Sequence, residues 1–166
     1  MVKKYIVVFA FFLAACKGFA FRVATENMLP AVKPGDTCIV DRYSSSPIAR
    51  FDIVMFNAPE ELKKISGEKD MKLIKRIIGL PNEKIEIREH KIYINDVLLD
   101  EPFEKIVDEK DRKKDFPAMR IPENHYFLLG DNRPYSLDSR YWKQATIKKE
   151  DVLGKVVEIL PIDVKK

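Results

Sequence analysis

Cysteine, histidine and long apolar runs are all scarce in this chain, and each shortage removes a class of mechanism. The two cysteines, Cys16 and Cys38, sit in unlike surroundings without the close spacing of a metal-binding pair, so neither a disulfide nor a metal is expected. The two histidines, His90 and His125, lie apart from other candidate ligands and read as ordinary turn or surface residues, which leaves a His-based catalytic triad little to draw on. Neither sign of charge dominates. A formal net charge of +4 with 34% charged residues excludes a polybasic nucleic-acid binder; it fits proximity to anionic lipid, as many soluble surfaces also do. No uninterrupted apolar run reaches the roughly 20 residues that a membrane-spanning helix wants. At 166 residues the chain can form one domain with a core, alone or with an N-terminal appendage.

The N-terminus has the character of such an appendage. Lys3 and Lys4 precede an apolar run from Tyr5 to Cys16, followed by Lys17, Gly18 and a second apolar patch, Phe19 to Phe21. Three readings are open. The segment is a short membrane anchor reaching Phe21, with Lys17 snorkelling and the two lysines held in the cytoplasm. Alternatively Leu13-Ala14-Ala15-Cys16 is a bacterial lipobox and Cys16 is lipidated, or the run is a cleaved secretory signal. All three place the remainder outside the cytoplasm. The expected division is residues 1–21, anchor or signal segment, and residues 22–166, folded domain.

Within that domain, short β-rich runs dominate and no long helical period occurs. Thr37 to Val40, Asp52 to Phe56, Lys72 to Ile78, Tyr126 to Leu129 and Val152 to Leu160 read as strands. Lys84 to Arg88 and Lys91 to Ile94 alternate apolar with polar and are joined through Glu89-His90, which predicts a hairpin with one wet face. Two polar stretches, about 58–70 and 104–120, read as surface insertions. The expected fold is mostly β, a coiled antiparallel sheet domain with one N-terminal apolar anchor or signal helix.

Packing alone does not explain Gly130 to Arg140, which reads Gly-Asp-Asn-Arg-Pro-Tyr-Ser-Leu-Asp-Ser-Arg. A loop that needs only to turn has no use for two acids, two arginines, an asparagine and two serines directly after a core strand, so the segment reads as a polar scaffold around a site. Lys75 is the first candidate for that site's chemistry. In a strand it shares a face with Leu73 and Ile77 while Arg76 points the other way. Apolar neighbours would strip its hydration, lower its pKa and make it a general base near neutral pH. An edge-strand lysine that discourages aggregation is the plainer alternative.

Five blocks, read together, resemble the type I signal peptidases, the Ser/Lys-dyad serine proteases of family S26. They are Asn27-Met28-Leu29-Pro30, Gly35-Asp36, Phe51 to Phe56, Lys75 to Pro81, and Gly130 to Arg140, in the family's order and spacing over nearly the whole chain. The resemblance implies a membrane-anchored endopeptidase of the bacterial cytoplasmic membrane, its β domain on the extracytoplasmic side, that removes signal peptides from exported preproteins without a cofactor. It implies that Lys75 is the general base, that Ser136 orients it, and that Thr25 contributes to an oxyanion hole. Arg76, Asp131, Asn132, Arg133, Asp138 and Arg140 are implied as structural support, the last acid and arginine as an ion pair.

Asn27 departs from the family pattern where the nucleophilic serine belongs. A carboxamide nitrogen is delocalised into its carbonyl and is a poor nucleophile, so hydrolysis is expected to be impaired or absent. Ala24, Ala31 and Lys143 stand where the family commonly has proline, threonine and glycine. The competing expectation is a non-catalytic pseudopeptidase that binds extended peptides of exported proteins, for example in assembly of a surface structure. A self-cleaving repressor of the wider Ser/Lys class is disfavoured, because an apolar segment precedes the β domain instead of a DNA-binding one.

Overall fold

A computed structural model describes residues 18–42, 46–108 and 115–162. The apolar run ending at Cys16, and Cys16 itself, lie outside them. Among the described residues no helix is long and apolar enough to cross a membrane.

The chain folds into eleven strands among the described residues. They are β1 (Gly18–Arg22), β2 (Thr37–Asp41), β3 (Ile53–Asn57), β4 (Lys72–Gly79), β5 (Lys84–Arg88), β6 (Lys91–Ile94), β7 (Val97–Leu98), β8 (Phe116–Arg120), β9 (His125–Leu129), β10 (Ile147–Lys148) and β11 (Val152–Leu160). Seven form one antiparallel sheet in the order β1-β2-β11-β3-β4-β9-β10, and four form a second in the order β7-β6-β5-β8. Register shifts in the pairings of β11 with β2 and β3, of β4 with β9 and of β5 with β8 add local twist, which curls both sheets.

Burial follows the sequence pattern where one face is wet. In the β5–β6 hairpin Ile85 and Ile87 pair with Ile94 and Ile92 and are buried, while Lys84, Glu86 and Arg88 point out. Its turn residues Glu89 and His90 have φ of 47° and 65°, the positive pair that a two-residue hairpin turn of matching twist demands. In β3 the alternation disappears: Ile53, Val54, Met55 and Phe56 are all buried. β4 is likewise buried from Ile74 to Gly79, so Lys75 lies inside a two-sided core strand and not on an edge.

The sequence reading needs two corrections. The patch Phe19 to Phe21, read as the end of an anchor, lies in β1, paired residue by residue with Val40, Ile39 and Cys38 of β2. An apolar triplet satisfies a sheet as well as a membrane, and the partner strand lies too far along the chain for local patterning to show it. The second insertion is also less of a loop than its charge suggested, for Phe116–Arg120 is β8 and pairs with β5. The first insertion carries a short surface helix, α1 (Glu60–Ser66), none of whose residues is buried.

Candidate active site

Asn27 sits on a loop between β1 and β2 that is clasped at its base. The Val23 amide donates to the Asp36 carbonyl at 2.8 Å and the Gly35 amide to the Val23 carbonyl at 2.7 Å. The Asp36 carboxylate accepts from the Lys33 amide at 2.8 Å and from the Ile162 amide, past the end of β11, at 3.0 Å. Met28 and Val32, completely buried, plug the loop into the core alongside Cys38, Val40 and Met55. Asn27 is thus seated by its neighbour, with its own carbonyl accepting from the Asn132 amide at 3.2 Å. Its side-chain Oδ1 is buried and has no hydrogen-bond partner. Thr25, on the same loop, is exposed.

Lys75 has no exposed surface, and its Nζ likewise has no hydrogen-bond partner. Burial pushes its pKa down to about 8 from an ordinary 10.5, against the opposing pull of the Asp138 and Asp131 carboxylates, while Arg140 lowers it further. The amine therefore gives up its proton far more readily than an ordinary lysine, the direction expected from its apolar neighbours on the strand.

Gly130 explains how the loop reaches this amine. In the β4–β9 pairing Arg76 faces Leu129 and Ile77 faces Leu128. One more antiparallel step sets Lys75 against Gly130, and directly opposed residues share a face. On that face a Cβ added to Gly130 would lie 2.3 Å from Ser136 Oγ and 2.4 Å from the Asn27 carbonyl. The space that glycine leaves is the space in which Ser136 and Asn27 approach the lysine strand. Ser136 is buried and its Oγ has no partner.

The remaining predicted residues form the frame. Asp138 accepts from Arg140 Nε at 2.9 Å and Nη2 at 3.0 Å, and from the Gly130 amide at 3.2 Å. Arg140 Nη2 also reaches the Arg133 carbonyl at 2.7 Å, and Arg133 Nε the Gly130 carbonyl at 3.1 Å. The predicted ion pair between Asp138 and Arg140 is therefore present, and it crosses the loop. Arg76 binds Asp131, and Asn132 Nδ2 donates to the Glu26 carbonyl at 3.0 Å, tying this loop to the one carrying Asn27.

Two framing residues escaped the sequence reading. The side chain of Glu101 is almost fully buried and binds Arg133 and Lys105. Its setting, Asp100-Glu101-Pro102, carries no periodic signal. Ser139 lashes the loop to β9, its Oγ accepting from the Leu128 amide at 2.9 Å and its own amide donating back to the Leu128 carbonyl at 3.1 Å. A second serine beside Asp138 was the signal available. Neither histidine joins the site: His90 is a turn residue, and His125 opens β9 with Nδ1 2.9 Å from the Glu123 carbonyl. Cys38 is a buried free thiol whose pKa burial pushes up to about 11, which keeps it inert. A surface cavity of about 630 Å³ lies elsewhere, lined by residues such as Glu61, Lys143 and Thr146 and by none of the residues above.

A buried amine of lowered pKa and a buried hydroxyl on the polar loop are groups that can accept and pass a proton. Residues 2–160 match the family described as signal peptidase, peptidase S26. The chain is 32% identical over 146 residues to signal peptidase I V of Bacillus subtilis, covering 81% of this chain and 80% of that one. It is 33% identical over 147 residues to signal peptidase I of Bacillus caldolyticus, covering 81% and 74%. The crystal structure of a signal peptidase I from Enterococcus faecalis superposes with a TM-score of 0.54 at 33% identity, over 69% of this chain and all of that one. On that family match and those identities, the chain belongs to the signal peptidase family, peptidase S26.

Proposed function

We propose that this chain receives the signal-peptide end of exported preproteins at the outer face of a bacterial membrane, and that it keeps the base of a Ser/Lys endopeptidase without the nucleophile. The observation that carries this reading is Lys75: a completely buried amine whose pKa burial lowers to about 8, with no hydrogen-bond partner of its own. A lysine kept in that state costs stability, and a proton acceptor is the use that offsets the cost.

In the cleaving arrangement a hydroxyl at position 27 gives its proton to Lys75 Nζ and attacks the scissile carbonyl. Ser136 orients the amine, and Asp138 with Arg140 holds Ser136's loop. Thr25 is assigned a place near the oxyanion. Asn27 supplies no attacking atom, so the rate is expected to fall by several orders of magnitude. The test is preprotein cleavage by the parent chain and by Asn27→Ser. A gain of at least about 100-fold is expected; no gain on reversion sinks the claim that only the nucleophile is missing.

A second reading, peptide capture without cleavage, is favoured by one observation: Asn27 Oδ1 is buried and partnerless, an acceptor that a bound backbone amide can satisfy. Titration of signal-peptide C-regions onto the parent chain decides it, and undetectable binding removes it. The N-terminal segment is assigned to membrane attachment, through either an anchor or a lipid on Cys16. Mass spectrometry of the mature N-terminus separates the two, since an intact Met1 rules out the lipidated form.

A further inference from the structure

We infer that Glu101 is a positioning residue for the candidate site: through Arg133 it fixes residues 130–132, on which the backbone at position 27 rests. Its part in catalysis rests on the proposed function; the chain of contacts behind it does not.

Glu101 reaches the site from the other sheet. It follows β7 on an extended strap, residues 101–106, in which Glu101, Phe103 and Lys105 are partly covered while Pro102, Glu104 and Ile106 are exposed. Three contacts fasten the strap. The Glu101 carboxylate binds Arg133 through Oε1 and lies 3.1 Å from Lys105 Nζ through Oε2. The Phe103 ring packs edge-on against Phe51, with centroids 5.5 Å apart. Ile106 runs parallel to Asn132, its amide donating to the Asp131 carbonyl at 2.8 Å and its carbonyl accepting from the Arg133 amide at 2.9 Å.

From Arg133 the contacts continue to position 27. Arg133 Nε donates to the Gly130 carbonyl at 3.1 Å and the Gly130 amide donates to Asp138, so charged side chains hold both backbone polar groups of that glycine. The Asn132 amide donates to the Asn27 carbonyl at 3.2 Å, and its Nδ2 to the Glu26 carbonyl at 3.0 Å. A Cβ at Gly130 would lie 2.4 Å from the Asn27 carbonyl oxygen, so the two backbones meet without slack. The side chains of Arg133 and Glu101 are only 3% and 4% exposed. A pair buried that deeply adds little net stability, because apolar residues of similar volume commonly do as well. What the carboxylate supplies is direction: it holds one edge of the guanidinium so that Nε faces Gly130. A small misplacement at position 27 then costs rate before it costs peptide binding.

The test compares Glu101→Gln, which keeps size and removes charge, with the double change Glu101→Met/Arg133→Met, which replaces the pair by apolar volume and stays folded even if the single variant does not. In the Asn27→Ser chain both are expected to lower kcat at least about tenfold with KM within about twofold. A double variant that unfolds at the urea midpoint of its background and keeps full kcat overturns the inference, since the pair would then serve stability alone. Hydrogen exchange in the parent chain reads the same role without cleavage. Glu101→Gln should speed exchange at the Asn132 amide at least about tenfold relative to the amides of β3, and an unchanged ratio overturns the inference. Should Asn27→Ser cleave nothing, the cleavage reading falls, and the exchange ratio decides the role of Glu101 by itself.

Discussion

Arg76 holds Asp131 with two sides of its guanidinium, Nε to Oδ1 at 2.9 Å and Nη2 to Oδ2 at 2.5 Å. Adjacent residues of an extended chain point to opposite sides, so this pair grips the back of the two segments whose front carries Lys75 and Gly130. The guanidinium is itself fixed: Nη1 donates to the Phe51 carbonyl at 2.8 Å, and its carbon lies 4.1 Å from the centre of the Phe103 ring. Burial raises the Asp131 pKa and Arg76 holds it down, the balance of a charge that is tolerated only while paired.

Removing one partner should therefore be costly. Asp131→Ala leaves a buried guanidinium uncompensated, and urea unfolding is expected to register a loss of about 3–5 kcal/mol. A loss below about 1 kcal/mol, the worth of an exposed pair, would show that the clamp is not structural.

Gly130→Ala places a methyl 2.3 Å from Ser136 Oγ and 2.4 Å from the Asn27 backbone oxygen. The backbone oxygen cannot swing away, so both loops must shift, at a cost of about 1–3 kcal/mol. In an Asn27→Ser background the same change should lower kcat well beyond what its stability loss explains. Unchanged kcat would mean that Gly130 does not set the approach of the two loops.

Stability should vary with pH through Lys75. Its folded pKa of about 8 lies below the ordinary 10.5, so below 8 the folded state carries the full cost of a buried ammonium, and above 8 it sheds the proton first and gains stability as pH rises. Cys38 works the other way, because with a folded pKa near 11 against 9.0 its unfolded thiol ionises first above pH 9 and stability falls. Between pH 8 and 9 the lysine acts ahead of the thiol. Urea midpoints measured across that window should rise in the parent chain and stay flat in Lys75→Met; parallel curves would remove Lys75 as the titrating group.

Ser136→Ala deletes a hydroxyl that makes no hydrogen bond in the folded chain. Stability should change by less than about 1 kcal/mol, since no pairing is lost. Activity in the Asn27→Ser background should nevertheless drop at least about tenfold if the hydroxyl orients the base. Equal kcat with and without the hydroxyl in that background would confine Ser136 to packing.

The β character and the hairpin were legible because their signals are local: alternating Ile and charge over Lys84–Ile94, with two turn residues between. Lys75 was legible for the same reason, a cation whose neighbours on its strand face, Leu73 and Ile77, are apolar. β1 was not, because Phe19–Phe21 has the same composition whether it meets a membrane or β2. β8 was hidden by Pro117 and by the charge run before it, and only its pairing with β5 makes it a strand. The Glu101–Arg133 pair and the approach of Asn27 to Gly130 join distant chain segments, and no window of sequence contains both partners.

The place of β11 in the sheet sets the order in which the site can come into being. Asn27 hangs from β1 and β2, whereas Lys75 and its polar loop belong to β3, β4 and β9; in the sheet the two groups meet only through β11, which lies between β2 and β3. Asp36 reinforces that dependence by accepting from the Ile162 amide. During synthesis both halves emerge well before the strand that joins them, so the base and position 27 remain apart until Val152–Leu160 has been made. A chain arrested before that strand would carry every residue of the candidate site and still lack the site.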